Sequence, residues 1–151
     1  AESRPTTGRL PDGSSIAATL AYLRANLCCQ GASEMRADAR AALDGLSPSS
    51  PYRATMLHLE GLSFLIEDDL ASADATFAHA ADVAASAGAP PLSALILSER
   101  FLVAAAHDDW DTADDLIGQA VEIVEVGHLS GYWTSALVFA CAARARAWRL
   151  W

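Results

Sequence analysis

The chain contains no lysine: its ten basic residues are all arginine, set against nineteen acidic ones, for a net charge of −9. That balance argues against direct contact with nucleic acid, because phosphate binding needs a basic surface. Without lysine there is also no G-x-x-x-x-G-K-[ST] loop, so the chain cannot grip a nucleotide as a P-loop does. No apolar run approaches the roughly 20 residues that a membrane-spanning helix needs. No basic segment followed by an apolar one opens the chain, so nothing argues for secretion, and a cytoplasmic location with no membrane partner is expected. Cys28, Cys29 and Cys141 are an odd count without metal-ligand spacing, and read as small buried residues in a reducing compartment. No segment alternates convincingly between polar and apolar residues, which excludes a sheet.

What remains is helix, and it repeats. Tyr52, Leu57, Phe64, Asp69, Ala73, Phe77, Ala80 and Val83 fall forty positions before Leu92, Leu97, Ala104, Asp109, Ala113, Ile117, Ala120 and Ile123. Matches in register over that length mark a stacked repeat, in which no unit buries its apolar face alone.

Residues 1–13, with Pro5, Gly8, Pro11 and Gly13, read as an irregular end, and residues 14–151 as the repeat domain. Ser14 or Ser15 caps a first helix with Ile16, Leu20, Leu23 and Leu27 on its apolar face, ending near Gly31. A second helix over about 33–46 presents Met35, Ala39, Ala42, Leu43 and Leu46, and Pro48 and Pro51 break it. Helices then follow from Pro51 to about Glu67, Leu70 to Ala87, Leu92 to Ala106, Trp110 to Val126 and Tyr132 to Leu150. Small residues at Ala73, Ala80, Ala113 and Ala120 let the helices approach, while Phe64, Phe77, Trp110 and Ile117 fill the gaps. The expected fold is an all-α right-handed solenoid of about seven helices in three and a half antiparallel hairpins.

Few constellations carry chemistry. The acidic run Asp108, Asp109, Asp111, Asp114 and Asp115 has the ligand type for a divalent cation. It sits, however, where the preceding repeat places Glu67, Asp68 and Asp69, and aspartates at a helix start cap free amides and suit the positive end of the dipole. Capping is the expectation, and no metal or cofactor is expected. His58, His79, His107 and His128 lie on different elements, so solvated or half-buried histidines are expected and no catalytic arrangement follows from spacing.

Glu60 and Arg100 occupy equivalent positions on neighbouring first helices and are expected to pair across hairpins. Tyr52, Tyr132 and Trp133 are expected to begin first helices. Together with His58, Glu60, Glu99 and Arg100 they form the candidate ligand- or partner-binding set. The basic, aromatic C-terminus (Arg144, Arg146, Trp148, Arg149, Trp151) reads as a helix end made to meet another helix, not RNA. With Val138 and Phe139 it offers a face for a homodimer.

Leu57, Gly61, Phe64, Leu70, Ala73, Phe77 and Ala80 follow the order of large, glycine, aromatic and alanine positions that resembles the tetratricopeptide repeat (TPR). The spacing of forty departs from the usual period of about 34 residues, so each helix is longer than standard. Five stretches add to this: Met35 to Ala39, Ser50 to Thr55, Gly88-Ala89-Pro90, Asp108 to Ala113 and Gly131 to Val138. Their order and spacing resemble the central repeat region of MalT-like, LuxR-type ATP-dependent transcriptional regulators, over roughly residues 14–147.

The resemblance implies a fragment of a larger protein with a nucleotide switch before this region and a helix-turn-helix after it. It implies a non-catalytic sensor or interaction domain that binds an inducer or a partner protein on the inner face of the superhelix, with DNA contacted only through the helix-turn-helix. A generic TPR scaffold for protein partners is the alternative.

Overall fold

Helix starts follow from local caps. In the structure, a computed structural model describing residues 8–150, Ser15 accepts the amide of Ala18 at 3.0 Å and so opens α1 (Ile16–Leu27). Asp69 and Asp109 do the same for α4 (Leu70–Ser86) and α6 (Trp110–Val126), accepting the amides of Ser72 and Thr112, each at 3.2 Å. The other helices are α2 (Ala32–Gly45), α3 (Tyr52–Ile66), α5 (Pro90–Ala106) and α7 (Ser135–Trp148). Among the described residues there is no strand, only an isolated bridge between Arg9 and Ser15.

Four helices end in the same way. Asp68, Gly88, Asp108 and His128 all have positive φ, at 63°, 64°, 57° and 52°. Just beyond them, the amides of Asp69, Ala89, Asp109 and Leu129 reach back to the carbonyls of Phe64, Ala84, Ala104 and Val124. This is the left-handed turn that satisfies orphan carbonyls at a helix C-terminus. Asp68 and Asp108 lie forty residues apart, and so do Gly88 and His128.

Each helix packs on the next in sequence, and α1, α3, α5 and α7 also pack directly on one another, whereas α2, α4 and α6 do not. The result is a stack of helical hairpins, α1–α2, α3–α4 and α5–α6, with α7 laid against α5 and α6. The odd-numbered row is dense, and α5 is enclosed: every residue from Ser93 to Glu99 is buried, as are Phe101 and Val103 to Ala105. The alanines expected at close approaches, Ala73, Ala80, Ala113 and Ala120, are wholly buried. Phe77 and Ile117 are buried beside them, while Phe64 and Trp110 are half-buried.

Several expectations are corrected. α1 buries Ala18, Ala21 and Ala25 and leaves Ile16, Leu20, Leu23 and Leu27 exposed. Both sides of α1 are apolar, so periodicity alone does not choose between them. The close approach of α2 does, because a Cβ on Gly45 would lie 2.9 Å from the Ala18 Cβ. α1 stops at Leu27, since Cys28 takes a left-handed φ of 45°. α5 starts at Pro90, two residues early, because prolines in a first turn forgo amides that have no partner there anyway. α7 starts at Ser135, so Tyr132 and Trp133 lie in the preceding turn. Val138 is wholly buried, leaving Phe139 and Trp148 as the exposed large residues of α7. Cys28 and Cys29 are exposed and only Cys141 is buried. Residues 1–7 of the expected irregular end, and Trp151, lie outside the described residues.

Candidate functional site

In α3 and α5 the ionisable side chains His58, Glu60, Glu99 and Arg100 join one helix to another. His58 on α3 and Glu99 on α5 are both buried, and their side chains meet. The His58 Nε2 lies 2.8 Å from Oε2 and 3.0 Å from Oε1 of Glu99, and only the Oε1 contact has hydrogen-bond geometry, with Oε2 left without a hydrogen-bond partner. A carboxylate acceptor requires that Nε2 carry the hydrogen.

Glycine makes room beside this pair. The Phe77 ring lies with its centroid 6.1 Å from that of His58. A Cβ on Gly61 would come within 2.6 Å of that ring, so only glycine at 61 lets α3 and α4 close around it.

On the far side of Glu99 stands α7. Its Cys141 thiol donates to the Ser98 carbonyl at 3.8 Å. Burial pushes this thiol up to about 11, Glu99 adds to the rise, and Arg144 opposes it. A thiol held protonated at neutral pH is a poor nucleophile. The His58–Glu99 pair ties α3 to α5.

The expected Glu60–Arg100 pair does not form. Glu60 accepts from Arg40 Nε on α2 at 2.6 Å, and Arg100 Nε donates to Asp74 on α4 at 2.7 Å. Each reaches back to the second helix of the preceding hairpin, not sideways to the other. Both pairs are partly exposed, so each contributes modestly.

The aromatic candidates do not join this cluster. Tyr52 at the start of α3 is half exposed and packs on Tyr22 of α1, ring centroids 4.7 Å apart. The Tyr22 phenol is pushed up by burial and then by Tyr52. Tyr132 and Trp133, in the turn before α7, are more exposed still, Trp133 at 80%. Of the seven candidates, then, only His58 and Glu99 meet one another.

Three residues of the acidic run serve the fold. Asp109 caps α6, Asp108 takes the left-handed turn and Asp114 pairs with Arg149. Asp69 and Asp109 are held below the ordinary carboxylate value by the hydroxyl and then the amide of Ser72 and Thr112 respectively. Among the described residues, no group of three or more His, Cys, Asp or Glu side chains is placed to hold a metal ion.

One cluster escaped sequence reasoning. Trp110 and Trp148 stack at 4.2 Å and 11°, Phe101 meets Trp110 edge-on, and Arg144 lies over the Trp110 ring. The repeat offset gives Trp110 no aromatic counterpart, because Leu70 stands forty residues earlier, so only tertiary packing reveals the stack.

No family model, curated protein or solved structure matches this chain.

Proposed function

We propose that this chain is a non-catalytic interaction domain, a TPR-like right-handed α-solenoid with a period near forty residues. In this reading it belongs to a cytoplasmic MalT-like, LuxR-type transcriptional regulator, senses an inducer or a partner protein, and leaves DNA binding to a separate helix-turn-helix. The period is supported by the paired turns at Asp68 and Asp108 and the paired caps Asp69 and Asp109. No helix among the described residues is long and apolar enough to cross a membrane.

The observation that carries the non-catalytic reading is where the ionisable groups go. His58, Glu99, Glu60, Arg100, Asp74 and Asp114 are all engaged in joining one helix to another. Tyr52, Tyr132 and Trp133 remain on the surface as contact residues, and large aromatic rings give much of their energy to partner contacts. Because α5 is enclosed, the partner meets the rims and ends of the array and not a groove running along α5.

The open reading frame gives the most direct test. The regulator reading predicts a nucleotide-binding motif upstream and a helix-turn-helix downstream. In the intact protein, Trp133→Ala weakens the response to inducer or partner while leaving DNA affinity in its absence unchanged. An open reading frame with neither flanking module contradicts it and leaves the plain scaffold.

A further inference from the structure

Cys28 and Cys29 stand at the tip of the α1–α2 turn, and both are exposed. Cys28 belongs to the left-handed series, with φ of 45° where Asp68 and Asp108, forty and eighty residues later, have 63° and 57°. Aspartate is favoured in that region and cysteine is not, so the backbone holds a thiol where another residue fits better. Such outliers gather at ligand clamps. The tip is open inside the array as well, because Asp68, Asp69, Asp108 and Asp109 are exposed although their hairpins are flanked on both sides. The exposure of the two cysteines therefore belongs to the turn itself.

Cys29 is also released from the duty of its counterparts. Asp69 and Asp109 cap α4 and α6, whereas α2 opens at Ala32 behind Gly31, with no side-chain cap. The Cys29 thiol makes one weak local bond, donating to the Leu27 carbonyl at 3.6 Å. Both cysteines line one cleft of about 70 Å³, with Leu27 and the Met35 thioether side chain beside them. Arg24 and Asp38 at its edge are paired with each other. A space of that size takes a few atoms and not a drug-sized ligand, which needs roughly 300–1,000 Å³.

We propose that Cys28 and Cys29 form a dithiol site for a trivalent arsenical. The donors are soft, which selects a thiol-seeking centre over hard cations. A closed zinc site needs about four protein ligands, and among the described residues no group of three His, Cys, Asp or Glu is placed to hold a metal ion. Trivalent arsenic takes two sulfurs and keeps its third bond for its own substituent. In the step each thiol gives up its proton, two S–As bonds form, the As–O double bond breaks and the oxygen leaves as water. Arsenic stays trivalent, so no oxidant is required. A direct disulfide is the poorer product. Consecutive Cα atoms lie about 3.8 Å apart, below the roughly 4.4–6.8 Å that ordinary disulfides span. An arsenic atom between the sulfurs widens the ring and relieves that constraint. The site is independent of the regulator reading.

Phenylarsine oxide titrated into the folded chain, followed by native mass spectrometry, tests this. One probe adds per chain with loss of one water, and ethanedithiol strips it whereas excess 2-mercaptoethanol does not. Cys28→Ser and Cys29→Ser each weaken binding at least tenfold, and Cys141→Ser leaves it unchanged. Both serine positions are exposed, and unchanged helical circular dichroism confirms that each variant folds. In the Cys141→Ser chain, unfolding in urea frees the turn and weakens binding at least tenfold, since the fold no longer holds the two thiols on one cleft. An adduct that persists in either serine variant, that 2-mercaptoethanol removes, or that forms as tightly on the unfolded chain overturns the proposal. So does a chain that, given glutathione disulfide, loses two hydrogens and no longer takes the probe, because the pair then closes on itself.

Discussion

His58 hydrogen-bonds Glu99 across a separation of 41 residues, fastening α3 to α5 through a contact from which water is nearly excluded. Truncating one partner of a buried pair strands the other without compensation, which costs more than the pair contributes. His58→Ala is therefore expected to destabilise the chain by about 3 kcal/mol. The double variant His58→Leu with Glu99→Leu recovers most of that loss. Urea denaturation of both variants checks it, and single variants within experimental error of wild type contradict the buried tie.

Two glycines in helix interiors are predicted to respond in opposite directions. Gly61→Ala places a methyl against the Phe77 ring and is expected to cost about 1–3 kcal/mol through overpacking. Gly118 is exposed and a Cβ there meets nothing within 4 Å, so Gly118→Ala should stabilise α6 by about 0.5–1 kcal/mol. Thermal melts of the two variants shifting in the same direction would contradict the packing described here.

The caps make stability depend on acid. Asp69 and Asp109 have carboxyls lowered from the ordinary 3.8, so each contributes stability that is fully present above that value and lost as pH falls through the folded-state value. Replacing both with asparagine, which still caps, should flatten the loss of melting temperature below pH 3.8 while changing little at neutral pH. An unchanged acid limb would remove the caps from the account.

These caps were legible in the sequence because they recur forty residues apart at a helix start. The helices α3 to α6 and their buried alanines Ala73, Ala80, Ala113 and Ala120 were legible for the same reason, and α1 and α2 from their caps, apolar stripes and breaks. The outward face of α1 was not, since apolar residues cover both of its sides and only the approach of α2 selects one. Nor was the His58–Glu99 tie: equivalence pointed to Glu60 and Arg100, whereas those two side chains turn back to α2 and α4 and the pair that forms joins residues 41 apart. The direction of a side chain around a helix is set by tertiary packing, which a linear offset does not encode.

Thiol chemistry separates the cysteines. Cys28 and Cys29 are exposed, and Cys141 is buried with its thiol pushed up to about 11. At pH 8 a maleimide should label the first two in the folded protein and Cys141 only after denaturation. Rapid native labelling of Cys141 would show that α7 does not stay seated on α5.

Native-state hydrogen exchange tests the stacked array most directly. A row of hairpins held together by neighbours is most secure at its enclosed middle and opens from its ends. The slowest amides should lie in α5, with α3, α4 and α6 exchanging faster and α1, α2 and α7 fastest. Uniform protection from α1 to α7, or amides in α1 as slow as those in α5, would contradict it.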